Sequence, residues 1–283
     1  YVVVNNAIAG RLEKTIVEAL EMDPTKIKNL KITGKINNDD YLFMREKMTS
    51  LQRLNLKEVE SIIDGVYKIP SYAFDGKKTL VKCVLPDKLE RIETHAFYNT
   101  ALTGTLLLPE GLKYVSGFAN TKITNVHFPA TLEEIGGSAF TGTSSLMCEV
   151  SFPESLKIIG DWAFSQSAIS GNLVLPHNLK EIGSHAFYHC QALTGSLTIP
   201  NQVRVIPDCT FEHSGFTGTL TLSDGLKEIG WQAFHDVKFK GELNIPERVS
   251  VIGNSAFANT TFNGTIVLPK ELISLGNRVF SGC

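Results

Sequence analysis

The chain has no excess charge of either sign. Its 283 residues hold 27 Lys and Arg against 29 Asp and Glu, for a net charge of −2. Nucleic-acid binding leans on clustered basic residues, so this balance argues against it. There is no run of 18 or more apolar residues, so no segment reads as a membrane span. The opening YVVVNNAIAGRLEK lacks a basic start before an apolar stretch and does not read as a signal peptide. A chain already relieved of its signal would look the same. None of the five cysteines (Cys83, Cys148, Cys190, Cys209 and Cys283) forms a CxxC pair. Their odd number and scattered spacing argue against a disulfide framework and favour small apolar fillers. GxSxG, HExxH and P-loop patterns are absent. Carboxylates such as Glu110, Glu154 and Asp161 have no partner fixed by spacing. A glycosidase would need two facing across a cleft. No enzyme and no cofactor are expected.

What the chain does have is a beat. Phe74, Phe97, Phe118, Phe140, Phe164, Phe187, Phe211, Phe234, Phe257 and Phe280 recur every 21 to 24 residues. Pro86, Pro109, Pro129, Pro153, Pro176, Pro200, Pro246 and Pro269 keep the same interval, with Ser223 standing in once. Such a period marks a repeat architecture before any single element is assigned. The residues one and three before each Pro are apolar (Leu173 and Leu175, Leu197 and Ile199, Leu243 and Ile245), the period of a strand. Pro ends it, having no N–H to donate. Three and six residues after Pro are again apolar (Leu179 and Ile182, Leu226 and Ile229). A Gly usually follows (Gly160, Gly183, Gly230, Gly253), where the chain is expected to turn with positive φ. The Ala-Phe pair then places a large ring in the interior, stacked on the Phe of the next coil.

One unit cannot bury its own apolar side, whereas stacked units can. The expected fold is therefore an α/β-type repeat solenoid, mostly β with short turns, of about ten coils over residues 51–283. Its main parallel sheet is expected before each Pro, with shorter segments opposite. An extra Gly at most strand entries (Gly104, Gly171, Gly195, Gly218, Gly241, Gly264) suggests a bulge. Residues 1–50 break the beat and read as a small α/β cap of helix, strand and helix. The helices fall at Arg11–Leu20 and Tyr41–Met48, the strand at Ile27–Ile32, and Asn38 and Asp39 are N-cap types.

The consensus LPxxLKEIGxxAFxxxxLxGxLxLP is similar to the repeat of the BspA-like leucine-rich repeat family of bacterial surface proteins. The likeness covers roughly residues 51–283, and the preceding LKITGKINNDDYLFMREKMTSLQRLNL resembles the leader that often precedes such repeats. The departures are the extra Gly and the Thr or Ser where the family often has Cys (Thr100, Thr143, Ser167, Ser214, Thr260); Cys190 and Cys283 keep it. The resemblance implies a leucine-rich repeat solenoid on an exported, often lipid-anchored chain. It also implies adhesion to host or bacterial partners, with no shared catalytic residues. The alternative role is a structural spacer that displays another domain or anchoring partner.

A solenoid presents columns, one residue per coil. The outward strand positions are mostly small and polar, Thr105, Asn125, Asn172, Ser196, Thr198, Thr219, Thr221, Asn244 and Thr265, with Glu149, Glu242, Leu107, His127, Val174 and Val267 among them. Small polar residues here fit a solvated β-face, or a docking surface for a protein or glycan. A second column (Glu90, Lys113, Glu133, Lys157, Lys180, Arg204, Lys227) reads as a solvated, charge-mixed face. One corner gathers metal-ligand types: His185 and Cys209 occupy equivalent positions, as do His189 and His213, and His235 sits one position earlier in the next coil. That spacing matches no known zinc motif. Trp162, one coil before His185, makes an aromatic–imidazole cluster an equal alternative.

Overall fold

The computed structural model describes residues 1–283. The fold is a β-solenoid of about 11 turns with few helices. Packing groups the chain into two compact units, Tyr1–Leu132 and Glu133–Cys283.

The first unit opens with a strand the sequence pattern does not announce, β1 (Val2–Asn6). A short helix α1 (Leu12–Lys14) runs into a single π-type segment, Thr15–Ala19. Leu12 and Ile16 are buried, while Val17 and Leu20 of the expected helical face are exposed. The expected strand runs longer, as β2 (Asn29–Ile36), and pairs in parallel with β1. Helix α2 (Asn38–Glu46) starts earlier than expected, because Asn37 is its cap. The Asn37 side chain accepts from the Asp39 and Asp40 N–H groups, and Asp40 reaches back to the Asn37 N–H at 3.0 Å. This capping box satisfies donors a helix start otherwise strands. Asp40 is buried and also accepts from the Gly10 and Leu12 N–H groups, at 2.7 and 2.9 Å. One carboxylate thus ties the starts of both helices together.

Strand β3 (Arg53–Ile63) pairs in parallel with β2, then turns back through Asp64-Gly65 into an antiparallel strand, β4 (Val66–Ile69). Both turn residues have positive φ, as a tight two-residue hairpin requires. From β4 onward each coil contributes a two-residue strand: Arg91–Ile92 pairs with β4, and Tyr114–Val115 pairs with Arg91–Ile92.

In the second unit the same position makes the regular ladder. Glu134–Ile135, Ile158–Ile159 and Glu181–Ile182 pair in parallel, as do Val205–Ile206, Glu228–Ile229, Val251–Ile252 and Ser274–Leu275. The regular sheet therefore lies after each Pro, at the Ile-Gly step, and not before it as the alternation suggests. The pre-Pro stretch pairs only locally: Thr103–Leu107 with Lys122–His127, Gly171–Asn172 with Leu193–Thr194, and Leu197–Thr198 with Leu220–Thr221. The inserted Gly is the physical reason. Gly104, Gly171, Gly195, Gly241 and Gly264 have φ between +73° and +89°, which takes the backbone out of the extended region, and the register slips at Gly104/Thr105.

The glycines of the Ile-Gly step serve another purpose than the one expected. They do not have positive φ. A Cβ on Gly183 would lie 2.3 Å from the Asp161 nitrogen, and one on Gly253 would lie 2.5 Å from the Trp231 nitrogen. At these coils the backbone of the neighbouring coil comes too close for a side chain. The positive φ falls two residues later, on non-glycines: Ser138, Trp162, His185, Cys209, Gln232, Ser255 and Arg278. A second left-handed column follows at Gln166, His189, His213, Asp236 and Asn259. Asn, Asp and His tolerate this region better than most residues.

The interior follows the Phe column. In the second unit, rings from Phe140 to Phe280 stack at centroid distances of 5.3 to 5.8 Å. Backbone bonds run beside them, such as Phe164 N–H to Ala186 O at 2.8 Å and Phe234 N–H to Ala256 O at 2.8 Å. A second aromatic column, Phe216, Phe239 and Phe262, stacks at 5.5 and 5.8 Å. The Thr and Ser that replace Cys are buried, and most bond the Phe carbonyl three residues back: Thr143 to Phe140 O at 2.7 Å, Ser214 to Phe211 O at 2.6 Å, Thr260 to Phe257 O at 2.8 Å. A hydroxyl thereby satisfies a turn carbonyl inside the core. The cysteines are all free thiols.

Candidate functional site

The strand-face residues sit on the pre-Pro half of each coil. In the first unit Thr105 is exposed and Asn125 half-buried, with its Oδ1 accepting from the Val126 N–H at 2.8 Å. In the second unit Asn172, Ser196, Thr198, Thr219, Thr221, Asn244 and Thr265 are all exposed. The alternation that buries Leu173, Leu197, Leu220 and Leu243 turns these outward. Ser196 accepts from the Thr219 N–H at 2.9 Å and lies 3.1 Å from the Thr219 hydroxyl. The column is not wholly polar. Val174 is 70% exposed, Val267 68% and Leu107 of the first unit 68%.

A second surface lies on the regular ladder of the second unit. An open groove of about 710 Å³ is bordered by Asp161, Lys180, Glu181, Gln202, Arg204 and Val205. Four members of the expected charge-mixed column pair: Lys113 with Glu90 at 3.3 Å in the first unit, and Lys157 with Glu133 at 2.6 Å in the second. All four side chains are exposed enough for such pairs to contribute little energy.

The histidine corner of the second unit resolves into two groups. His185 lies flat on Trp162, rings 3.8 Å apart and 8° from parallel, with Tyr188 edge-on at 5.5 Å. Burial pushes the His185 pKa down. Its partner in the column, Cys209, is buried, its thiol 3.9 Å from the Gln232 side-chain oxygen, and burial raises the thiol's pKa. His185 stands apart from the second group, whereas the Cys209 thiol borders it, since a hydrogen bond to Glu212 and that residue's charge also raise its pKa.

That second group is Glu212, His213 and His235, whose donor atoms all lie within 4.8 Å of one another. Glu212 Oε1 is 3.2 Å from His235 Nδ1 and 3.6 Å from His213 Nε2. The Glu212 side chain is only 9% exposed. His213 Nδ1 faces Asp236 Oδ2 at 3.0 Å, and Lys238 Nζ holds the other Asp236 oxygen at 2.6 Å. The bond from Lys238 keeps the Asp236 carboxyl below its ordinary range, helped by the charges of Lys238 and His213. His235 Nε2 faces the Asn259 amide at 3.4 Å. His189 is tilted over His213 with rings 4.5 Å apart, and burial followed by the nearby His213 lowers its pKa. Of the five residues gathered at this corner from sequence, His213 and His235 belong to this cluster. Glu212 was missed, although the signal is in the sequence: Glu212 and His235 are 23 residues apart, as are His213 and Asp236, so each pair stacks across adjacent coils.

Among solved structures, the chain is similar to a leucine-rich repeat protein from Bacteroides ovatus at 22% identity and TM-score 0.52, over 92% of this chain and 78% of that one. It is also similar to a leucine rich cell surface protein from Faecalibacterium prausnitzii at 18% identity and TM-score 0.46, over 91% and 74%. A third is the leucine-rich repeat protein of T. pallidum, at 28% identity and TM-score 0.40, over 71% and 73%. No curated protein matches the chain. The description "BspA type Leucine rich repeat region" matches in six copies, over residues 40–168, 114–195 and 170–283. These spans take in most of α2, the hairpin and every Ala-Phe turn, and by them the chain belongs to the BspA-type leucine-rich repeat family.

Proposed function

We propose that this chain is a non-enzymatic binding protein of the bacterial cell surface, docking a protein or glycan on the pre-Pro strand face. The family supports the surface setting. The observation that carries the site is the composition of the outward column in the second unit. Asn172, Ser196, Thr198, Thr219, Thr221, Asn244 and Thr265 offer short hydrogen-bonding groups, and Val174 and Val267 stand out among them, 70% and 68% exposed. Short side chains lose little rotamer entropy when covered. Apolar groups inside a polar field are what a partner desolvates for gain. Long charged side chains, which a merely solvated strand face usually carries, are few here.

Catalysis is not part of this reading. The exposed carboxylates of the charge-mixed column pair with lysines, and the one thiol beside the sharpest cluster of titratable groups, Cys209, is kept protonated by burial. The test is a screen of the purified chain against immobilised host matrix proteins and a glycan array. Saturable binding to one class supports the reading. Silence across both moves the weight to a spacer that displays another segment.

A further inference from the structure

We propose that Glu212, His213 and His235 form a binding site for a divalent transition-metal ion of the zinc class. The donor set is right for such an ion: two imidazole nitrogens and one carboxylate oxygen. So is the spacing. Zinc bonds of about 2.0–2.1 Å at tetrahedral angles put neighbouring donor atoms about 3.3–3.4 Å apart. Glu212 Oε1 lies 3.2 Å from His235 Nδ1 and 3.6 Å from His213 Nε2.

The surroundings orient the donors. Asp236 lies 3.0 Å from Nδ1 of His213; with Nδ1 donating to it, Nε2 is the nitrogen that can ligate an ion beside Glu212. This is the carboxylate–histidine arrangement that metal sites use to fix a tautomer and raise ligand basicity. Asp236 is itself anchored by Lys238 at 2.6 Å. Asn259 stands at the outer nitrogen of His235, 3.4 Å away. His213 is therefore held from behind by a carboxylate, and each histidine turns one nitrogen to the same buried Glu212. Glu212 faces these two imidazoles, with the neutral Cys209 thiol beside it. Three protein donors leave a fourth position open to water or to a group from a partner.

The site joins two successive coils, Glu212 and His213 from one and His235 from the next, so an ion there clamps a coil junction. Binding only the folded state, it raises stability by mass action.

The experiment is calorimetric titration of zinc chloride into the full chain stripped with a chelator, at about pH 7.5, where imidazole is above its ordinary pKa of about 6.5. Cobalt(II) serves as a coloured reporter of tetrahedral geometry. The expected result is one ion per chain, a cobalt spectrum with nitrogen and oxygen donors, and a higher Tm with zinc. His213→Ala and His235→Ala should each weaken binding by more than about a hundredfold. Asp236→Asn, a change outside the donor set that keeps the side chain's shape, should weaken it by about 10- to 100-fold. Circular dichroism identifies any variant that fails to fold, and Asp236→Asn then carries the test. Cys209→Ser should bind as the parent does. Absence of heat with the folded parent overturns the proposal. So does unchanged affinity in folded His213→Ala, or loss of binding in Cys209→Ser, which would place the ion on the neighbouring column.

Discussion

Phe187 and Phe211 lie one coil apart with ring centroids 5.4 Å from each other and planes within 1° of parallel. The backbone bond from the Phe187 N–H to Thr210 O, at 2.8 Å, runs alongside. Coil spacing and ring stacking are thus one repeated geometry, in which the backbone sets the step and the offset rings fill it.

Truncating one ring of the column should be severe. Phe187 is fully buried between Phe164 and Phe211. Phe187→Ala is expected to cost about 3–5 kcal/mol, because neighbours bonded into their own coils cannot collapse into the gap. Urea unfolding measures it, and a near-neutral result would contradict the ring's role in the core.

The two kinds of glycine should respond differently. At Gly183 an added Cβ meets the Asp161 nitrogen at 2.3 Å and the Gly160 carbonyl carbon at 2.4 Å, both backbone atoms that cannot move aside. Gly183→Ala should therefore cost more than about 3 kcal/mol, among the severe single changes. At Gly104 nothing lies within 4 Å, and only the φ of +81° opposes a side chain. Gly104→Ala should cost about 1–2 kcal/mol. Equal costs in thermal unfolding would refute the distinction.

A pH effect should follow from Lys77. Its ammonium is buried and donates to the Arg45 and Met48 carbonyls at 3.0 and 2.9 Å, at the C-terminal end of α2. Burial pushes its pKa down to about 8, against 10.5 ordinarily. Between these values the unfolded chain binds more protons than the folded one, so stability rises with pH across that window. Below pH 8 both states are charged and the slope vanishes. Lys77→Met should flatten the rise between about pH 8 and 10.5 relative to the parent. Chemical denaturation across that range reads it, and an identical slope in both proteins would contradict it.

Much of this architecture is legible in the residues, and the parts that are not have physical reasons. The Phe and Pro intervals announce the solenoid, because stacking imposes the same burial on every coil. The place of the regular sheet is hidden, since alternation marks which side chains turn inward but not which backbones stay in hydrogen-bond register. The inserted Gly, with positive φ in most coils, breaks that register before Pro. The Ile-Gly step keeps it, for the opposite reason that Gly permits contact there. The left-handed residues Trp162, His185 and Cys209 give no sign in the sequence, because only the turn requires that conformation of them. Asp64-Gly65 was readable as a hairpin, since Asp-Gly favours such turns, and was masked by the repeat that follows. At the histidine corner, matching like residues in a column favoured His185 with Cys209. The structure instead unites unlike ones, Glu212 over His235 and His213 over Asp236, because a ring nitrogen and a carboxylate oxygen make a donor–acceptor pair.

The central claim is that partners dock on the pre-Pro strand face, and the most direct measurement compares two charge variants against one identified ligand. Thr198→Glu/Thr221→Glu places charge on the exposed, parallel-paired column. Lys180→Glu/Arg204→Glu alters the groove on the regular ladder instead. Surface plasmon resonance on both, with unchanged Tm as the control for folding, should show binding abolished in the first and retained within about threefold in the second. Retained binding in the first pair with loss in the second would contradict the account and move the site to the groove.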